Sequence, residues 1–259
     1  MSDDRLSPVF VTGASAGIGR ECARQFARDG RDLILAARRL ERLEELESEL
    51  EEAHGVEVRV AELDVRDRDA VEELVSRLER EGRVPEVLVN NAGLAAGKAP
   101  LHEGSFDDWD RMIDTNVTGL LNVSRFVVPL MVRRDRGHVV NMGSIAGHMV
   151  YPGGNVYNAT KFAVRALTQA MNVDLVDTRV RASCISPGAV ETEFSEVRFH
   201  GDEERAEQVY EGYRPLRPED VADAVAYVVN APPHVSVHDL VIMPTAQRNP
   251  YVLDRGRRG

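Results

Sequence analysis

Short runs of β-branched and apolar residues recur along the chain, separated by longer stretches whose apolar positions follow the 3.6-residue period of a helix. PVFVTG (8–13), DLILAA (32–37), VEVRVAEL (56–63), EVLVNNAG (86–93), GHVVNMGS (137–144), VRASCISPG (180–188) and DLVIM (239–243) read as strands with their exits. Apolar runs alternating with helical segments are the mark of βαβ units. Between them, LERLEELESELEEA (40–53) carries leucines at 40, 43, 46 and 50 as one stripe, and its acids form a solvated outer face. The pattern predicts the α/β class: a doubly wound parallel sheet of about seven strands, helices on both faces, and a single domain spanning residues 1–259. Residues 192–220, TEFSEVRFHGDEERAEQVYEGYRPLRPED, break the rhythm and are expected to form a lid over a substrate.

Composition narrows the function. A chain of 259 residues, 43% of them hydrophobic, can bury one substantial core. Its net charge of −11 argues against nucleic acid, whose binding needs clustered cations. No basic leader precedes an apolar segment, and no run approaches the ~20 apolar residues of a membrane span, so a soluble, cytoplasmic protein is expected. Cys22 and Cys184 lack the spacing of a disulfide framework or zinc site and read as buried small hydrophobes. The seven histidines show no helical i, i+4 pair, and no metal is expected.

The stretch VFVTGASAGIG runs from the first strand through Gly13, Gly17 and Gly19 into the helical RECARQFARDG. Glycines there let the backbone turn sharply and approach a pyrophosphate, and the helix start behind them offers free N–H groups. An acid normally ends the second strand to bind the ribose 2′-hydroxyl of NAD. Here the strand ends in Ala36-Ala37-Arg38-Arg39, and a guanidinium at that place suits the 2′-phosphate of NADP. Arg38 is the better placed; the alternative is that both arginines pair with acids of the following helix.

Only two lysines, Lys98 and Lys161, stand against thirty arginines. Lys161 follows Tyr157 by four residues in GGNVYNATK, so the two project from one helix face. A nearby ammonium favours the phenolate and brings a Tyr, of reference pKa ~10, toward acid/base use. Ser144 lies thirteen residues upstream at the end of the fifth strand, where open α/β sheets bind ligands, and its hydroxyl suits a substrate carbonyl.

At this point the chain resembles the short-chain dehydrogenases/reductases, which have a Rossmann fold. TGASAGIG (12–19), LDV (63–65), NNAG (90–93), Asn116 in MIDTN, Ser144, YNATK (157–161) and PGAVET (187–192) occur in that family's order and spacing. The resemblance implies that Tyr157 is the acid/base and Ser144 polarises the carbonyl. It implies that Lys161 holds the nicotinamide ribose and lowers the Tyr pKa, and that Asn116 holds a water in a proton relay. For NADP(H) it implies contacts from Gly13, Ser15, Gly17, Ile18 and Gly19 at the pyrophosphate, and from Arg38 and Arg39 at the 2′-phosphate. Asp64 and Val65 are implied at the adenine, Asn90, Ala92 and Gly93 along the groove, and Pro187, Gly188, Val190 and Thr192 at the nicotinamide. The second half, including RPEDVADAVAYVV and MPTAQ, is similar to NADP-dependent 3-hydroxy acid dehydrogenases acting on serine and allo-threonine.

The expected activity is therefore hydride transfer between NADP(H) and a small hydroxy or keto substrate, best a 3-hydroxy acid. The alternatives are a carbonyl reductase of secondary metabolism, and an NADP-binding sensor or scaffold that catalyses nothing. A sensor has no need of Ser, Tyr, Lys and Asn together. In the lid, Phe194 and Phe199 are expected to exclude water and Arg198 to pair either with the substrate carboxylate or with a lid acid such as Glu193 or Glu196. By resemblance, the helices near 110–134 and 155–178 would build a homo-oligomer, a tetramer or dimer.

Overall fold

The first strand, β1 (Val9–Thr12), is buried at all four positions, and β2 (Leu33–Ala37) and β4 (Val87–Asn90) are equally apolar and buried. Only a strand covered on both faces reads this way. Together with β3 (Val58–Glu62), β5 (Gly137–Met142), β6 (Val180–Pro187) and β7 (Asp239–Ile242) they form one parallel sheet in the order β3-β2-β1-β4-β5-β6-β7. This computed structural model describes residues 7–256, without the side chains at positions 203, 206 and 207. Residues 1–6, where the absence of a leader was read, lie outside the described residues, as do 257–259.

Helices cover both faces. On one, α1 (Gly17–Arg28), α2 (Leu40–His54) and α9 (Pro218–Val229) bury Phe26, Leu43, Leu46, Leu50 and Val225 against the sheet. On the other, α3 (Arg68–Arg80), α5 (Leu120–Arg133) and α6 (Asn155–Asp174) add Val71, Leu74, Val127 and Leu130 to a second core layer, with Met171 of α6 packed against it. Local signals set their ends: Asp67 caps α3 by accepting from the Ala70 N–H, and Gly55, at φ 66°, closes α2 in the left-handed region. Both cysteines are buried and free, as the sequence suggested.

Three local differences position the site. The strands are shorter than their apolar runs, and Ser144 lies two residues past β5, where it caps a short 3-10 turn (145–147). The helix expected from about 110 begins earlier, as α4 (Phe106–Ile113), and joins α5 through a π-helical turn, Asp114–Gly119, containing Asn116. The segment 192–220 forms two short helices, α7 (Phe194–Arg198) and α8 (Glu203–Gln208), before α9. Among the described residues, no helix is long and apolar enough to cross a membrane, and no group of His, Cys, Asp or Glu could hold a metal ion.

Candidate active site

Strand order reverses between β1 and β4, so the loops leaving them diverge and open a crevice above the sheet. Gly13, at φ 66°, starts the first loop, and a Cβ there would stand 2.9 Å from the Ala92 Cα of the second. Thr12 Oγ1 accepts from the N–H groups of Asn91 and Ala92, both at 3.1 Å, while Asn91 Nδ2 donates to the carbonyls of Thr12 and Gly13. The crevice widens into a cavity of about 360 Å³. One end is lined by Arg38, Arg39, Asp64 and Val65; the middle by Ser15, Ile18, Ala92 and Gly93; the other end by Ser144, Tyr157, Lys161, Pro187, Gly188, Val190 and Thr192.

This groove fits a dinucleotide. The N-cap of α1 is Ala16, which supplies no side-chain cap, and its first turn holds no acid, so its N–H groups face the cavity without an internal anion. Gly17, at φ 52°, keeps the floor low: a Cβ there would come within 3.2 Å of Thr192 Cγ2. Arg39 donates to Ser15 Oγ and to Glu193 at 2.9 Å, and Arg42 also holds Glu193 at 2.8 Å. Arg39 thus pairs with an acid of the lid rather than of α2. Arg38 lines the same end and stays exposed.

Three expected cofactor or relay contacts take other forms. Gly19 does not line the groove; it lies behind the turn, where a Cβ would collide with Asn91 Nδ2 and the Gly13 carbonyl. Asn90 also faces away, donating to Ser124 Oγ and Asn141 Oδ1 inside the sheet, and its neighbour Asn91 lines the groove instead. The reason is the strand's alternation: successive side chains leave on opposite faces. The side chain of Asn116 is fully engaged, its Oδ1 accepting from the Leu94 N–H and its Nδ2 donating to the Leu94 carbonyl and Thr160 Oγ1. It staples the loop after β4 to α6.

Tyr157, Ser144 and Lys161 meet at one end of the groove. Tyr157 and Lys161 are both buried on α6, and the Lys161 Nζ donates to the Met142 carbonyl at 2.7 Å. Burial pushes the Lys161 ammonium down to about 8. Burial, helped by the Tyr151 phenol, holds the Tyr157 pKa well above its ordinary value, while the Ser144 hydroxyl and the Arg198 guanidinium act the other way. The Tyr–Lys tuning expected from the i, i+4 spacing is therefore not made here; Nζ sits 5.9 Å from the ring centroid, turned to a backbone carbonyl.

The lid closes over this end. Phe194 meets the Tyr157 ring edge-on at 5.8 Å, and Arg198 lies 5.3 Å and 5.8 Å from the ring centres of Tyr151 and Tyr157. The Nε and Nη2 of Arg198 are buried with no hydrogen-bond partner, and no carboxylate among the described residues pairs with it. The lid-acid alternative is thereby removed: Glu193 is taken by Arg39 and Arg42. Phe199 stacks with Arg198 and Arg205 at the outer rim.

Residues 7–203 match the short chain dehydrogenase family. The chain belongs to that family. It is 48% identical over 240 residues to the NADP-dependent 3-hydroxy acid dehydrogenase YdfG of Salmonella typhi, covering 92% of this chain and 95% of that one. It is 43% identical over 249 residues to sulfoacetaldehyde reductase 2 of Chromohalobacter salexigens, covering 95% and 98%. Among solved structures, the closed form of serine dehydrogenase complexed with NADP+ superposes with a TM-score of 0.89 at 47% identity, covering 93% of this chain and 96% of that one.

Four residues of the site were not expected from the sequence: Asn91 and Thr115 line the groove, Thr12 ties its two loops together, and Tyr151 lies against Arg198. Thr12 and Asn91 belong to TGASAGIG and NNAG, and strand alternation separates Asn91 from Asn90. Tyr151 had no such signal, because its position over Arg198 comes from the lid folding back.

Proposed function

We propose that this chain is an NADP-dependent oxidoreductase transferring a hydride between nicotinamide and a small 3-hydroxy acid such as serine or allo-threonine. The observation that carries the reading is the Arg198 guanidinium against the Tyr157 ring: it hydrogen-bonds the Tyr151 phenol, but its Nε and Nη2 are buried without a partner and no carboxylate among the described residues joins it. Buried donors without an acceptor are costly, and a substrate carboxylate next to the reacting carbon would supply one. The names of the similar proteins support the same reading: a 3-hydroxy acid dehydrogenase, a serine dehydrogenase bound to NADP+, and a reductase of an anionic aldehyde.

NADP(H) would lie along the groove from Arg38 and Arg39 to Lys161 and Thr192, and when bound it supplies or accepts the hydride. The chain's own residues do the rest. Ser144 donates a hydrogen bond to the substrate oxygen, and Tyr157 exchanges a proton with that same oxygen. Burial keeps the phenol protonated, as reduction requires; Arg198 and Ser144 favour the phenolate that oxidation requires. Lys161 presents its ammonium to the nicotinamide ribose, and Phe194 keeps water from the reacting centre.

The test is reduction of NADP+, followed at the NADPH absorbance, with 3-hydroxypropionate, serine and neutral alcohols of the same length side by side. Turnover confined to the neutral alcohols would overturn the acid reading in favour of a general carbonyl reductase; no turnover of either, with NADPH still bound, would favour a sensor. Cofactor choice has its own expected result. Arg38→Ala is expected to raise KM for NADP far more than for NAD, and Ala37→Asp to shift preference toward NAD by adding a ribose acceptor and repelling the phosphate. Equal losses for both cofactors would remove Arg38 from phosphate recognition.

The reading extends to assembly as a homotetramer or dimer. Supporting it, Ile113, Leu121 and Val132 on α4 and α5, and Phe162 and Val173 on α6, are exposed apolar residues in the two segments, 110–134 and 155–178, that the family resemblance assigns to an interface.

A further inference from the structure

One phenol ties the lid to the groove. Tyr210, between α8 and α9, is half-buried; its Oη donates to the Val190 carbonyl at 2.7 Å and pairs with Ser195 Oγ at 2.7 Å. A phenol has a single hydrogen to give. Because Tyr210 gives it to Val190, the Ser195 hydroxyl is the donor in the second bond. Burial holds the Tyr210 pKa above its ordinary value, while the hydrogen bonds from Ser195 and from the Thr192 N–H act the other way. The phenol therefore stays protonated near neutral pH and keeps its bond to Val190.

Its partners belong to two different parts of the site. Val190 and Thr192 line the end of the groove that Tyr157 and Lys161 also line. Ser195 belongs to α7, whose Phe194 and Val197, three residues apart on one helix face, reach the same groove. Ser195 itself is buried, does not line the groove and meets Tyr210 instead. The Val190 side of the tie is fixed: Gln247 Oε1 accepts from the Ala189 N–H at 2.9 Å, and Leu216 bonds the Ala189 carbonyl and the Glu191 N–H. Tyr210 is held from behind as well, since Arg255 donates to the carbonyls of Gln208 and Glu211 on either side of it. The member left to be placed is α7, a helix of five residues that is too short to be stable alone.

We propose that Tyr210 is a positioning residue for the reaction: by joining Val190 to Ser195 it sets how closely α7 lies on the groove, and so holds Phe194 and Val197 over the substrate beside Tyr157. This rests on the proposed hydride transfer. Tyr210 does not line the groove and acts through α7, whose Phe194 meets the Tyr157 ring edge-on at 5.8 Å. Loss of either hydroxyl frees α7 from the fixed Val190 segment, so substrate affinity falls while the proton donor and the cofactor's contacts remain.

Steady-state oxidation of 3-hydroxypropionate by NADP+ with Tyr210→Phe and Ser195→Ala, singly and together, tests this. Each single variant is expected to raise the substrate KM about tenfold or more, with kcat and NADPH affinity within about threefold of wild type, and the double variant to be no worse than Tyr210→Phe. A residue that only stabilises the fold would lower the melting temperature and leave KM alone. Ser195→Ala keeps Tyr210 and its bond to Val190, so it reads the tie even where Tyr210→Phe folds poorly. A wild-type KM in Ser195→Ala, or losses that multiply in the double variant, would overturn the proposal. Failure of the proposed reaction appears separately, as wild-type turnover of neutral alcohols alone, and the same cycle run on such an alcohol still decides the role of Tyr210.

Discussion

Replacing Tyr157 by phenylalanine is expected to lower turnover by ~10²- to 10⁴-fold while leaving NADPH affinity within a few-fold of wild type. The substitution removes one oxygen and keeps the ring. That ring packs with Leu94, Ala95, Met112 and Ala146 and meets Phe194 edge-on, so the fold loses little. The turn after β1, the start of α1 and Arg38 are untouched, which is why cofactor binding persists. What is lost is the phenol at the end of the groove that Ser144 and Lys161 also line. Fluorescence titration of NADPH and steady-state rates in both directions separate the two effects. Turnover within tenfold of wild type would remove Tyr157 as the proton donor.

The Arg198→Ala variant is expected to lose roughly a hundredfold in kcat/KM for serine and 3-hydroxypropionate, about 2–4 kcal/mol, and far less for a neutral aldehyde. No carboxylate partner is orphaned by the change, and the lid keeps its backbone tie, since the residue 198 carbonyl still accepts from Gly97. Loss of the cation also withdraws one of the two groups that favour the Tyr157 phenolate. Oxidation at fixed pH is therefore expected to suffer more than reduction, and the acid limb of its pH profile to move up. Proportional losses on charged and neutral substrates would make Arg198 a structural residue.

The strands and the phosphate-binding turn were legible because each depends on residues close in the chain. A strand buried on both faces, such as Val9–Thr12 or Leu33–Ala37, is uniformly apolar whatever its neighbours are. Gly13 and Gly17 announce themselves because their positive φ is a local requirement. Asn90 and Gly19 were misplaced for a different reason. Each lies within a motif whose neighbouring residue lines the groove, and only the facing loop decides which side chain points into it and which glycine packs behind.

By itself the sequence determined the sheet, the order of its motifs and the helix face that carries Tyr157 and Lys161, since all of these follow from periodicity and spacing along one chain. The tertiary structure alone decided the electrostatics. The direction of the Tyr157 shift comes from burial beneath Phe194 and Tyr151, and Lys161 turns to the Met142 carbonyl rather than to the phenol. Arg198 was ambiguous in the sequence because acids surround it there, and the fold resolved it by giving Glu193 to Arg39 and Arg42 from 151 or more residues away. A charge's partner is set by what the folded chain brings within a few ångströms and by how much water it removes, and neither quantity is written in sequence distance.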